Sequence, residues 1–296
     1  GDLNTTRSGL ASCATSYTAL IVAGGNSPPV RANAESFDGS SWTETGDLNT
    51  ARNQFSGAGT QTAGLVFGGN PGSTAITESW DGSSWTEVAD LNEAVGGNSG
   101  GGLQPAAFMV YHNQHEVWNG SAWTETTELN TSRTHLASVG ITTAILSFAG
   151  ENPGGTARLA NTESWDGSSW TEVNDLSTAA YLNSGSGTNT LALNFTGDPG
   201  PGSGTNTSEE WAFPSGPHLN EGDVFLSGGT TLKGFGKAAG VPSGSWGSAA
   251  NINTARGDGM YGFGTTSAAG IAGGDDGTPG DSWVGNTEIY NGSSWT

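Results

Sequence analysis

Apolar positions in this chain come in short bursts separated by Gly, Asn, Ser and Thr. One stretch, Gly46 to Val88, reads GDLNTARNQFSGAGTQTAGLVFGGNPGSTAITESWDGSSWTEV. An apolar run, Ala63–Phe67, stops at Gly68-Gly69. Two shorter segments, Thr77–Trp80 (Thr-Glu-Ser-Trp) and Ser84–Glu87 (Ser-Trp-Thr-Glu), each carry one Trp and stand on either side of a turn pair. A fourth segment, Gln54–Gly59, follows Arg52. These predict four strands, here called A to D in chain order. No segment carries a helical period. Between C and D stands Asp81-Gly82, and the same pair or Asn-Gly recurs at Asp38-Gly39, Asn119-Gly120, Asp166-Gly167 and Asn291-Gly292. Asp-Gly and Asn-Gly favour two-residue type I′ hairpins, so the spacing predicts a tight C–D turn in each unit.

The unit repeats. Variants of "DLNT" recur at Asp2–Thr5, Asp47–Thr50, Asp90–Glu93, Glu128–Thr131, Asp175–Thr178 and Asn251–Thr254, and a closing Trp at Trp42, Trp85, Trp123, Trp170, Trp246 and Trp295. Successive Trp residues are 43, 38, 47, 76 and 49 residues apart. Four-stranded units too small to bury their own faces require stacking, and radial stacking gives a β-propeller. The closing Trp is the large apolar group expected to plug the space between blades. The 76-residue gap predicts a blade that has lost its Trp, hence an all-β propeller of seven four-stranded blades, or six if that stretch is one blade plus an insertion. The expected blades in a single domain of residues 1–296 are 1–45, 46–88, 89–126, 127–173, 174–215, 216–249 and 250–296. Tail joined to head reads SSWT–GDLNT, so each blade is expected to be one sequence unit with no exchanged strand.

An apolar strand ending in Gly-Gly (Val66–Gly69), a later Trp, and then Leu48–Arg52 (LNTAR) leading into the next strand resemble the kelch repeat. The resemblance covers nearly the whole chain. It departs at Tyr111-His112-Asn113, which replace Phe-Gly-Gly, and over 179–249. Glu221–Gly236 (EGDVFLSGGTTLKGFG) is similar to a hairpin phrase of tailed-phage fibre proteins, and the near-identical Thr/Asn/Ser/Gly-rich repeats resemble propellers of marine-phage virion proteins. The resemblance implies a virion or extracellular setting and a binding role.

Composition alters the picture in three ways. Fifty glycines and 33% hydrophobic residues would suggest disorder in a non-repeating chain, but here the Gly is periodic. Eight Lys+Arg against 28 Asp+Glu give a net charge of −20, which repels phosphate backbones and argues against a nucleic-acid partner. Cys13 is the single cysteine, so it forms no internal disulfide and is expected to sit in a strand. No apolar run reaches the length of a membrane span, and the chain, which lacks an initiator Met, reads as a domain cut from something longer.

Alternation places the D–A connections and B–C loops on one face and the A–B and C–D turns on the other. The B–C loops vary most: Gly25–Asn33, Asn70–Ala75, Gly150–Asn161, Gly197–Asn206 and Gly274–Asn286. Variable loops on a rigid scaffold are where recognition concentrates. Candidate binding residues are Arg7, Arg52, Arg133 and Arg256 at the mouth of strand A, and Arg158 in a B–C loop. The repeated arginines either form a guanidinium ring for a ligand or pair with blade carboxylates such as Glu35, Glu78, Glu163 and Glu288. Pairing is favoured because the residue recurs blade after blade. Asp275, Asp276 and Asp281 can supply oxygen ligands to Ca²⁺, though a solvated acidic loop explains them better. Trp283, outside the repeat register, is a candidate for stacking on a sugar ring. Tyr111, His112 and His115 invite comparison with the copper site of a kelch-type oxidase, but the histidines are scattered (112, 115, 135, 218) and Cys13 has no Tyr partner. No Ser-His-Asp set, carboxylate pair or phosphate loop stands out. The expectation is a non-enzymatic module with no cofactor, recognising a surface glycan or a structural protein. A glycan-active propeller or a purely structural decoration are the alternatives.

Overall fold

The computed structural model describes residues 1–195, 197–199, 206–212, 224–227, 231–234, 245–254, 261–265, 268–274 and 285–296. Among them there are strands and no helix. Blade 1 contains β1 (Ala11–Ser16), β2 (Ala19–Ala23), β3 (Ala34–Phe37) and β4 (Trp42–Glu44). Blade 2 contains β5 (Ser56–Thr60), β6 (Ala63–Phe67), β7 (Thr77–Trp80) and β8 (Trp85–Glu87). Blade 3 contains β9 (Ser99–Leu103), β10 (Ala106–Tyr111), β11 (Gln114–Trp118) and β12 (Trp123–Glu125). Blade 4 contains β13 (Ala137–Ile141), β14 (Ala144–Phe148), β15 (Thr162–Trp165) and β16 (Trp170–Glu172). Blade 5 begins with β17 (Ser184–Gly187), β18 (Leu191–Phe195) and β19 (Ser208–Ala212). A separate hairpin, β20 (Val224–Ser227) with β21 (Thr231–Gly234), precedes its fourth strand, β22 (Ser245–Ser248). Blade 6 contains β23 (Tyr261–Thr265), β24 (Ala268–Ala272) and β25 (Thr287–Tyr290), and its fourth strand is reduced to a bridge between Tyr290 and Trp295.

The blade count is therefore six, where the Trp spacing favoured seven. Trp211 on β19 pairs with Trp246 on β22, so 174–215 and 216–249 belong to one blade. An insertion carrying β20 and β21 stands where other blades make their C–D turn. Each sheet is antiparallel, and each is built from strands consecutive in the chain apart from that insertion. The inner strands β1, β5, β9, β13, β17 and β23 contact one another in sequence, and β23 contacts β1, which closes the ring. Leu3 N–H donates to Gly285 C=O at 2.9 Å across that last seam.

Packing between blades explains both the tryptophans and much of the glycine. Trp123 of blade 3 stands edge-on to Phe67 of blade 2 with centroids 4.7 Å apart, and its Nε1 donates to Thr77 Oγ1 at 3.1 Å. Trp42 of blade 1 reaches Thr287 of blade 6 in the same way, at 3.3 Å. Close to the axis the circumference is too small for large side chains on both partners. Gly100 and Gly185 accordingly face Phe67 and Phe148 of the preceding blades, and a Cβ at either glycine would lie 2.6–2.7 Å from the ring.

Strands B and C fall where the pattern puts them, but A and the C–D turn do not. Strand A of blade 2 starts at Ser56 because Gln54 adopts φ 53°, which leaves the extended region. In the C–D turn only Gly39 takes positive φ, whereas type I′ needs two such residues. Asp38 N–H donates to Ser41 C=O at 3.2 Å. The Asp38 carboxylate accepts the Ser40 and Ser41 N–H groups at 2.9 Å each. Those bonds, led by the Ser41 N–H and the Ser40 hydroxyl, hold the Asp38 pKa down to about 2.

Candidate functional site

The repeated arginines are blade interior. Arg7, Arg52 and Arg133 are wholly buried and pair with Glu35 (2.9 Å), Glu78 (2.9 Å) and Glu163 (3.2 Å). The other oxygen of each carboxylate accepts the backbone N–H of Asn4, Asn49 or Asn130 at 2.8 Å, which docks the "LNT" segment onto its own blade. Arg52 Nη1 also donates to Gly68 C=O at 3.1 Å. Burial pulls each guanidinium below its ordinary pKa, and the facing glutamate pulls it back. None of the three offers a donor to a ligand, so a binding ring of guanidiniums is replaced by three internal ion pairs. In blades 3 and 5 the slot holds Val95 and Ala180, and Glu116, left without a guanidinium, has its pKa raised by burial. Arg256, Asp275, Asp276, Asp281 and Trp283 lie outside the described residues.

The inner strands enclose an axial cavity of about 330 Å³. It runs from Gly9, Gln54, Gly97, His135 and Leu182 at the loop face to Thr15, Leu103, Ile141 and Thr265 at the opposite face. Its wall is glycine backbone, serine hydroxyls and small apolar groups. Among the described residues no Asp, Glu, Lys or Arg lines it, and His135 is its one titratable side chain.

The five residues at the loop-face mouth occupy one position of the repeat, two residues after the arginine slot, and all have left-handed backbone. Gly9 (φ 62°) and Gly97 (77°) suit it; Gln54 (53°), His135 (52°) and Leu182 (56°) do so at a cost of roughly 1–2 kcal/mol each. Backbone bonds tie neighbouring blades here. Gln54 N–H donates to Gly9 C=O (2.7 Å), Gly97 to Gln54 (2.8 Å) and Leu182 to His135 (3.0 Å). Around His135 the sixfold repetition breaks down. Its Nδ1 is 3.2 Å from Glu151 Oε1, Glu151 Oε2 accepts from Arg158 Nη1 at 2.7 Å, and the Arg158 guanidinium lies 3.7 Å over the Tyr181 ring. His135 stands edge-on to Tyr181. His112, in a glycine slot at φ 56°, stacks on Tyr111 with centroids 4.2 Å apart. Its pKa is lowered by burial first and by His135 second.

Of the sequence candidates, Arg158 alone falls in this cluster. Gln54, His135, Glu151 and Tyr181 carried no signal of their own: A–B pairing within blade 4 brings Glu151 and Arg158 to His135, and blade 5 adds Tyr181 across the seam. The Thr134–Glu151 bridge continues the β13–β14 pairing inside blade 4, and the Leu159–Ala180 bridge joins that blade to blade 5. The YHNQH segment does not gather its imidazoles. His115 is buried in β11 against Trp165 and Trp170, with Thr126 Oγ1 2.7 Å from its Nδ1, and burial lowers its pKa to about 4. Among the described residues no three His, Cys, Asp or Glu side chains are grouped to hold a metal. Cys13 is buried and its thiol is pushed up to about 12.

No family model matches the chain, and no curated protein matches it. Among solved structures it is similar to the structure of YjhT, with a TM-score of 0.72 over 98% of this chain and 96% of that chain at 11% identity. At that identity the likeness shows the β-propeller fold alone.

Proposed function

We propose that this chain is a non-enzymatic recognition module of the kelch type, carried on a virion appendage or an extracellular adhesin, whose loop face binds a surface glycan or a partner protein. One observation carries the reading. At the loop-face mouth of the cavity blades 2, 4 and 5 carry Gln54, His135 and Leu182 where blades 1 and 3 carry Gly9 and Gly97. There, non-glycine residues accept left-handed backbone around an open cavity. Strain of that kind persists where function holds it in place. The acidic chain sets the partner class against nucleic acid. Hydrolysis of a glycan would call for convergent acids, and the described lining of the cavity offers none. No helix among the described residues is long and apolar enough to cross a membrane.

The test is binding of the fluorescently labelled protein to intact bacterial cells and to a glycan array, alongside a variant carrying Arg158→Ala and Tyr181→Ala. Saturable binding that the variant loses supports recognition at this face. Absence of binding to any surface would leave a structural decoration.

A further inference from the structure

We infer that the vacated arginine slot of blade 5 is a binding site for a guanidinium group, and that it takes the arginine side chain of a protein partner. The inference deepens the recognition reading and rests on it. In blades 1, 2 and 4 the slot holds the chain's own arginine, 2.9–3.2 Å from a glutamate. Arg52 also donates to the Gly68 and Ile76 carbonyls. Blade 5 keeps the carboxylate and loses the donor. Glu209 stands two residues before Trp211, as Glu78 stands before Trp80. Ser177 N–H donates to Glu209 Oε2 at 3.0 Å, as Asn49 N–H does to Glu78 Oε2 at 2.8 Å. The other oxygen, which in Glu78 meets the guanidinium, has no partner in Glu209 among the described residues. With Ala180 in place of the arginine, a hollow of about 20 Å³ remains, and Glu209 lines it.

The surroundings of the hollow have changed with it. Asn194 pairs with Glu209 where Val22 and Val66 pair with Glu35 and Glu78, and Asn183 stands where blades 1 and 2 carry Leu10 and Phe55. Asn183 Nδ2 donates to Asn194 Oδ1 at 2.8 Å, and that amide oxygen has a second lone pair to offer. Blade 3 meets the same loss of arginine differently: Val95 and Met109, both wholly buried, close around Glu116. Blade 5 is thus hollow and polar where blade 3 is plugged and apolar. Ala180 and Asn194 are buried at the hollow, whereas Thr178, Pro199 and Thr207 on its wall are exposed, so it opens to solvent. Its volume exceeds the roughly 10–15 Å³ that admits one water molecule, and a guanidinium is planar and a single atom thick. A carboxylate suits the fork of guanidinium donors, and a chain of net charge −20 draws a cationic partner.

The experiment is isothermal titration of the full chain with the peptide acetyl-Gly-Arg-Gly-amide and with its citrulline counterpart, the neutral isostere of arginine. Wild type, Glu209→Gln and Ala180→Arg are compared. The arginine peptide is expected to bind wild type at a single site, at least tenfold more tightly than the citrulline peptide. Each variant is expected to lose at least tenfold in affinity. Glu209→Gln removes the countercharge, and Ala180→Arg fills the slot from within, as blades 1, 2 and 4 do, and should melt above wild type. If Ala180→Arg melts lower instead, Glu209→Gln alone decides. No saturable binding of the arginine peptide, equal binding of the citrulline peptide, or full affinity in Glu209→Gln would overturn the inference. Methylguanidinium titrated alongside identifies the source of the group: tighter binding than the arginine peptide would assign the slot to a free guanidinium compound and overturn the protein partner. Adhesion of wild type to cells separates the two readings. If it adheres but the arginine peptide does not bind, the slot fails while loop-face recognition stands. If the peptide binds and the protein adheres to nothing, the recognition reading fails while the slot stands.

Discussion

Arg52 lies wholly inside its blade with its guanidinium 2.9 Å from Glu78, so Arg52→Ala leaves a buried carboxylate with its Asn49 bonds but no countercharge. Breaking a buried pair from one side costs about 3–5 kcal/mol, and urea unfolding of Arg52→Ala should show a loss of that order. A loss below about 1 kcal/mol would mean the pair is not structural. Glu116 displays the same situation naturally: with Val95 in the arginine slot, burial raises its pKa. His115 makes a separate prediction. Its folded pKa is about 4 against an ordinary 6.5, so the native state refuses a proton that the unfolded chain accepts. Stability is therefore fully present above pH 6.5 and falls as pH drops towards 4, by on the order of 3 kcal/mol from this group. His115→Thr installs what Thr77 and Thr162 supply in their blades and should remove that part of the acid sensitivity. Because Glu116 titrates in both proteins, the difference between them isolates His115. Equal losses from pH 7 to pH 4 would contradict the assignment.

At the scale of the element, the closing tryptophan acts between blades more than within one. Trp123→Ala removes the contact with Phe67 and the bond to Thr77, both in blade 2, and should cost about 3–5 kcal/mol in urea unfolding. A cost below about 1 kcal/mol would place the Trp outside the seam. The tryptophans and the Gly-Gly strand ends were legible because they recur in register from unit to unit. The blade count was not, because Trp spacing measures sequence distance and cannot tell a blade from an insertion. Trp211 is followed by a hairpin of its own before Trp246 completes the sheet. The start of strand A was misplaced for a local reason: Gln54 looks like an ordinary strand residue, yet it occupies a left-handed slot that Gly9 reveals only when blades are superposed. Asp38 likewise shapes its turn through its carboxylate rather than through its own backbone angle.

At the scale of the whole molecule, six inner strands meet around one axis, and residues far apart in the chain become neighbours at its mouth. Arg158 was visible as a charge in a variable loop, but His135 and Glu151 join it through A–B pairing inside blade 4, and Tyr181 only through the packing of blade 5 against it. The repeat sets the scaffold and the departures from it mark the candidate site. That division is the central claim, and a single-residue substitution scan of the full chain displayed on cells tests it most directly, scored in parallel for folding and for adhesion to a bound surface. Substitutions of repeated residues (Arg7, Glu78, Trp85, Trp123) are predicted to lower folding and adhesion together. Substitutions of Gln54, His135, Glu151, Arg158 and Tyr181 are predicted to abolish adhesion while leaving folding intact. Adhesion that survives every folded substitution at the loop-face mouth, or that instead tracks Leu103 and Ile141 at the opposite face, would contradict the account.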